Sequence, residues 1–255
     1  MTTREISRRV GPAGPTDVIA FNIAQFVLGP VAGVLALFAA LTPLPFPLRV
    51  GLIVAGVLAI EMTISAIAAT WWVFGHRADR RWAWVHDRAG TPRRWINLTT
   101  GFDDSTATMQ HSIPGSGVAV DVFDTTVQHD AALLRARRRF PPASRSVPVE
   151  MAVDTIESGS ADVVFLLMAA HEAHGSARLA LFRSAARALS AGGRLVLVEH
   201  LRDAANTLAF GPGAWHFSTR ADWLAAALAA GLDLVEETRL TPFVAGFVFA
   251  RAADR

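Results

Sequence analysis

The sequence predicts an α/β fold, a largely parallel sheet with helices on both faces, preceded by a two-helix transmembrane hairpin. Three observations predict it. Apolar residues make up 52% of the 255 residues and charged residues only 18%, and the apolar excess lies before residue 75. Beyond that point short β-type runs alternate with helical stretches, the pattern of strands joined by crossover helices. The last two β-type runs have no helix between them, which predicts a closing antiparallel hairpin.

The first apolar run, Val18 to Leu41, is interrupted only by Asn22 and Gln25. Pro43, Pro45 and Pro47 end it, because proline cannot continue a helix. A second run extends from Leu48 to about Phe74. Each run exceeds the roughly 20 residues needed to cross the hydrocarbon core. Arg4, Arg8 and Arg9 precede the first span, whereas Arg77, Arg80, Arg81, Arg88, Arg93 and Arg94 follow the second. The turn between them carries only Arg49. The positive-inside rule then places both termini and the α/β domain on the cytoplasmic side of an inner membrane. Trp71, Trp72, Trp82 and Trp84 suit an interfacial belt, with the nearby arginines resting on anionic headgroups. Gly29 and Gly33 suit close helix packing. Glu61, near the middle of the second span, either faces a functional cavity or sits neutral in a helix interface. The expected organisation is a tail over 1–17, the hairpin over 18–75, a basic juxtamembrane linker over 76–92 and the α/β domain over 93–255.

Expected strands are Trp95–Thr99, Val118–Phe123, Ser146–Met151, Ala161–Met168, Arg194–His200, Leu232–Leu240 and Phe243–Arg251, seven in all. Helical periodicity runs over Val127–Arg139, Ala177–Leu189 and Arg220–Ala230. The absence of cysteine excludes disulfides, thiolate metal sites and a cysteine nucleophile. A formal charge of +2 without a concentrated basic stripe argues against a nucleic-acid partner. His171-Glu172-Ala173-His174 spaces its histidines three apart, so the H-E-x-x-H zinc pattern is excluded and no metal is expected.

Within this alternation, Ala161-Asp162-Val163-Val164 resembles the fourth strand of class I S-adenosylmethionine-dependent methyltransferases. Arg187 to Glu199, with Leu189, Gly192-Gly193 and Leu195, resembles their helix-to-strand passage R-x-L-x-P-G-G-x-L-x-x-x-E/D. Trp223, Ala230-Gly231-Leu232 and Glu236 are similar to their terminal W…A-G-F segment. The resemblance covers about residues 90 to 251. It implies a Rossmann-like seven-stranded methyltransferase sheet and S-adenosylmethionine as cofactor. The family's D/E-x-G-x-G-x-G loop falls on Asn97 to Asp103. Only Gly101 matches a glycine there; Asn97 replaces the acid, Thr99 the first glycine and Asp103 the last. Gly101-Phe102-Asp103 is similar to the G-x-D of leucine-carboxyl-type members. Asp103 on this reading either contacts the cofactor or caps the helix that follows.

The resemblance further implies that Asp121 or Asp124, at the second strand end, holds the ribose hydroxyls, and that Glu150 and Met151 flank the adenine. His171 and His216 are the candidate bases for an acceptor that must lose a proton. A bilayer anchor is needless for a soluble substrate, so the expected acceptor is an apolar small molecule, a lipid, quinone or aromatic, at the membrane face. A non-catalytic methyltransferase-like subunit of a membrane-protein complex, or a homo-oligomer assembled through the hairpin, is the other expectation.

Overall fold

The computed structural model describes residues 12–124, 130–144, 146–148, 151–152 and 155–252. Seven strands form one sheet: β1 (Arg94–Thr99), β2 (Ser116–Val122), β3 (Ser146–Val147), β4 (Ala161–Leu167), β5 (Leu189–His200), β6 (Leu232–Thr241) and β7 (Val244–Arg251). Their order is β3-β2-β1-β4-β5-β7-β6. β1 to β5 are parallel, and β7 runs antiparallel to both β5 and β6. The closing pair is thus the expected hairpin, with its second strand placed inside its first. β3 is shorter than expected because Pro148 follows Val147 and has no ladder donor. Gly192 takes the expected left-handed conformation, φ +70, within the early part of β5.

Helices α1 (Pro15–Phe21), α2 (Ile23–Ala39), α3 (Phe46–Trp71), α4 (Ala78–Ala89), α5 (Thr106–Ser112), α6 (Ala131–Arg139), α7 (Gly175–Ala188), α8 (Ala204–Phe210) and α9 (Arg220–Ala229) complete the described elements. One face of the sheet is covered by α7 and α9, where Leu181, Phe182 and Trp223 bury against Leu197 and Phe249. On the other face, Val85 and Ala89 of α4 and Met109 of α5 bury against Trp95, Phe165 and Val198. At about 25 cal/mol per Å² of apolar surface removed from water, these layers supply the main drive for closing the sheet.

Two N-terminal expectations change. The first apolar run is not one straight span: α1 and α2 bend by 72° at Asn22. Its side-chain Nδ2 donates to the Val18 carbonyl, a local bond that competes with the helical ladder. α1 turns onto the domain, where Phe21 packs with Phe102, Ala136 and Phe140 and Asp17 pairs with Arg139. Within residues 76–92, expected as a linker, lies α4 (Ala78–Ala89). Its Arg81, Val85 and Ala89 are buried at the i, i+4, i+8 spacing of a core-facing stripe. Trp82 and Trp84 pack in the same core, which leaves Trp71 and Trp72 as the exposed tryptophans of the helix exit.

Continued through the π turn Trp72–His76, α3 forms a 31-residue helix. Among the described residues it alone is long and apolar enough to cross a membrane, and the bent α1–α2 pair passes only as a broken span. The outward faces of α2 and α3 leave Leu28, Leu35, Phe38, Val57 and Ile64 exposed. The two helices cross closely at Gly33 and Gly56; a Cβ on Gly56 would lie 2.8 Å from the Gly33 carbonyl. Glu61 occupies neither expected environment. It is exposed and accepts a hydrogen bond from Ser65 Oγ at 2.7 Å.

Candidate functional site

In a parallel sheet the strands deliver their carboxyl ends to one edge, and ligands bind there near the point where the strand order reverses. Here β1 lies between β2 and β4, so that point falls at the loop after β1. A cavity of about 370 Å³ opens at this edge. Phe102 and Asp104 of the β1 loop line one side of it. His171, Glu172 and His216 line another, and Phe21 and Phe74, from α1 and the end of the α3 helix, help to close it.

The β1 loop is held by buried bonds. Asn97, in place of the family's acid, donates from Nδ2 to Ser105 Oγ at 2.9 Å and Thr106 Oγ1 at 2.8 Å. Asp103 accepts from the backbone N–H groups of Ser105 and Thr106 through Oδ1. It therefore caps α5, one of the two roles open to it. Gly101 has φ +107, and an added Cβ would meet the Phe123 ring at 2.8 Å. A side chain there would pay both the left-handed strain and a clash.

Asp121 is fully buried and its carboxylate is occupied by the protein. Oδ1 accepts from Gly101 N at 2.8 Å and Thr99 Oγ1 at 3.2 Å; Oδ2 accepts from Arg137 Nη1 at 2.8 Å and Ser146 Oγ at 2.7 Å. Arg137 also lies over the Phe123 ring, 4.3 Å from its centroid. Asp121 is thus the strut of the loop after β1. Asp124 lies just beyond β2 and is half-buried. Glu150 lies outside the described residues, and Met151 is exposed rather than in the cavity lining.

β4 ends at Leu167, and Met168 then adopts φ +56, the one left-handed non-glycine among the described residues. Such a conformation costs about 1–2 kcal/mol for a residue with a side chain. It leads into the 3-10 turn Ala170–Glu172, which brings His171 back over the end of β5. There the buried Glu199 carboxylate clamps residue 171: Oε1 accepts its backbone N–H at 3.1 Å, and Oε2 meets ring Nδ1 at 2.9 Å. The other ring atom, Nε2, lies 3.5 Å from Glu172 Oε1. His216, from the 3-10 turn Gly211–His216, places its Nε2 3.6 Å from that same oxygen.

The electrostatics follow from burial and neighbours. Burial works against the charged His171 ring, but the charge and hydrogen bond of Glu199, aided by Glu172, raise it to about 9. Burial pushes the Glu172 carboxyl up. The His216 hydrogen bond and the charges of His171, His216 and His174 outweigh this and hold it below the usual range. Burial, together with the charge of His171, pushes His200 down to about 4. His200 bonds the Phe243 carbonyl through Nδ1 and stacks on Phe217 at 4.7 Å, so it packs the site as a neutral ring.

Two charged groups lay outside the expected site. Arg81 is buried, and its Nη1 has no hydrogen-bond partner. Burial lowers its affinity for a proton, and Asp104 partly restores it. Burial raises the Asp104 carboxyl, which accepts Ala13 N at 2.9 Å. A small recess lined by Arg81, Asp104 and Met168 adjoins the main cavity, which Asp104 and Met168 also line. A sequence signal for Arg81 exists: a cation at the head of the Val85–Ala89 apolar stripe.

No protein-family model matches the sequence, and no curated protein matches it. Solved structures do resemble it. The PH0226 protein from Pyrococcus horikoshii aligns with a TM-score of 0.50 at 10% identity, over 69% of this chain and 90% of that one. A SAM dependent methyltransferase from Aquifex aeolicus aligns at 0.48 and 12%, over 66% and 87%. The 1,6-didemethyltoxoflavin-N1-methyltransferase of Burkholderia thailandensis aligns at 0.47 and 16%, over 82% and 92%. At these identities the likeness is one of fold. Its seven strands, their order and the inserted antiparallel β7 give this chain a seven-stranded, methyltransferase-like α/β sheet.

Proposed function

We propose that this chain is an S-adenosylmethionine-dependent methyltransferase, anchored in the inner membrane with its α/β domain in the cytoplasm, that acts on an apolar lipid, quinone or aromatic acceptor. The observation that carries the reading is the 370 Å³ cavity, which joins the β1 loop on one side to His171, Glu172 and His216 on the other. The residues on the loop side fit the cofactor. Arg81 offers an unpartnered buried guanidinium N–H, suited to a carboxylate. Gly101, left-handed and without a side chain, suits close approach of a ligand to the backbone. Asp124, half-buried just beyond β2, is the acid we assign to the ribose hydroxyls, and Asp121, whose carboxylate accepts four protein donors, is the strut of the β1 loop.

The cofactor, when bound, supplies an electrophilic methyl group on its sulfonium. Alignment accounts for much of the acceleration in such a displacement. Phe102 and the β1 loop line the donor side of the cavity, while the His171–Glu172–His216 cluster faces the acceptor, with His216 placed to take the proton of its hydroxyl and the charged His171 ring placed to hold the oxygen. Support for an apolar acceptor comes from a second groove of about 470 Å³ along α2 and α3, which shares Gln25, Phe26, Phe210 and Gly213 with the site cavity. An apolar tail can follow that groove from the exposed faces of the hairpin to the cluster.

Calorimetry of the full chain in detergent with S-adenosylmethionine tests the reading first, followed by transfer of radiolabelled methyl to quinone and phenolic lipid acceptors. Saturable cofactor binding with label in an apolar acceptor is expected. No binding at millimolar cofactor overturns the proposal.

A further inference from the structure

We propose that His171 Nε2, Glu172 Oε1 and His216 Nε2 form a binding site for a divalent transition-metal ion. The sequence spacing excluded a zinc motif of the H-E-x-x-H type and gave no metal expectation, because His216 comes from a turn 44 positions beyond Glu172. The fold brings the three together: the Glu172 oxygen lies 3.5 Å from one ring nitrogen and 3.6 Å from the other, and all three atoms lie within 4.8 Å of one another. An ion about 2.1 Å from each of three tetrahedral ligands separates them by about 3.4 Å. Two of the three edges are thus already near the required length, and the third closes by a small rotation of the half-exposed His216 ring.

The Glu199 clamp is an independent feature of the same site. Both of its oxygens are spent on residue 171, so Nδ1 keeps its hydrogen on Glu199, and Nε2, facing Glu172, is the atom that releases its proton to solvent when an ion binds. This carboxylate–histidine arrangement orients metal-ligating imidazoles and strengthens them as ligands. Glu172 and Glu199 also place two carboxylates around the position, which favours a cation. Two nitrogens and one oxygen suit zinc, iron, cobalt or nickel, whereas magnesium and calcium prefer all-oxygen shells. Three protein ligands leave at least one coordination position open, and here it faces the 370 Å³ cavity. Resting on the methyltransferase reading, the consequence is a substrate class: an apolar acceptor whose reacting hydroxyl reaches that open position, where the ion takes over from a histidine base, favours the deprotonated hydroxyl and lets the proton pass to solvent.

The test uses the full chain in detergent, stripped of metal with a chelator and titrated with cobalt(II) while its visible ligand-field absorption is recorded. Cofactor affinity is measured on the same samples. One equivalent of cobalt is expected, with binding abolished in His216→Ala and Glu172→Gln and weakened about 10- to 100-fold in Glu199→Gln. His216 is 44% exposed, so its variant tests binding with little demand on folding, and a thermal melt checks each protein. No saturable binding, or binding unchanged in both His216→Ala and Glu172→Gln, overturns the ion site. Cofactor binding without cobalt binding sinks this inference and leaves the methyltransferase reading standing; cobalt binding without cofactor binding does the reverse.

Discussion

We propose Asp124 as the ligand-holding carboxylate and Asp121 as the structural one, and their amides test the distinction. Asp121 is fully buried and accepts four donors at 2.7 to 3.2 Å. Asp121→Asn removes its charge and turns one oxygen into an amide that faces donors, losing two of those bonds. Bonds to a charged group are worth about 1.5–3 kcal/mol each. The Arg137 side chain is a quarter exposed, so water relieves part of its loss, and the low end of the range applies, about 3 kcal/mol in all. For a chain of this size that is a fall in thermal midpoint of roughly 6–12 °C. Asp124→Asn, at a half-buried position just beyond β2, is expected to lower the midpoint by less than Asp121→Asn does. It should also weaken S-adenosylmethionine binding by about tenfold or more, the loss of one charge-assisted contact. Thermal melts followed by circular dichroism and calorimetric titration read the two effects separately. If Asp121→Asn melts normally but loses the cofactor while Asp124→Asn binds it, the strut argument fails and the ribose belongs to Asp121.

Three further outcomes follow from the same geometry. Arg81→Met should keep the fold and reduce cofactor affinity at least about tenfold by removing a charge-assisted bond; unchanged affinity on calorimetry removes Arg81 from the site. Gly56→Val should destabilise the chain by about 1–3 kcal/mol through overpacking, since its Cβ would sit 2.8 Å from the Gly33 carbonyl. Gly51→Val, with nothing within 4 Å of the added Cβ, is the control, and equal melts for the two would refute the α2–α3 crossing. Lysines at Val54 and Leu58, both about half exposed on α3, should each cost roughly 2.5–3.5 kcal/mol if that face meets hydrocarbon. Carbonate extraction should then release the double variant, and its full retention in the membrane pellet would argue against a spanning α3.

The sheet was legible in the sequence because its strands are continuous apolar runs, the pattern of a sheet buried on both faces. Gly192, left-handed within the early part of β5, was legible for a local steric reason. The first apolar run misled because composition cannot register a single residue that redirects a helix. Val18 and Phe21 are apolar enough for lipid, yet the bend at Asn22 sends them onto Phe102 and Phe140. The linker misled for the opposite reason: the arginines of residues 77–94 outweigh the Val85–Ala89 stripe in any count, although the stripe decides where α4 packs. Within the site, His171 and His216 could be read from their places after β4 and before α9. Their partner Glu199 could not, because the clamp depends on a parallel register that sets Leu167 beside Val198 and on the left-handed turn at Met168.

The hairpin and the site share residues, and that sharing limits what each can be. Phe21, Gln25 and Phe26 from α1 and α2, and Thr70 and Phe74 from α3 and its π turn, line the same cavity as His171. Met62 of α3 presses on Gly211, where an added Cβ would overlap its terminal methyl, and Gly211 opens the turn that carries His216. The side chain of Met62 thus joins α3 to the turn that carries His216, without passing through the sheet. An anchor that served only for attachment would need no such contact, and a flexible tether would do as well. Met62 seats against the left-handed Gly211 beside a groove that shares lining residues with the cavity. On the proposed function, the Met62–Gly211 contact and the shared cavity lining, more than the length of either apolar helix, favour an acceptor that arrives along the hairpin.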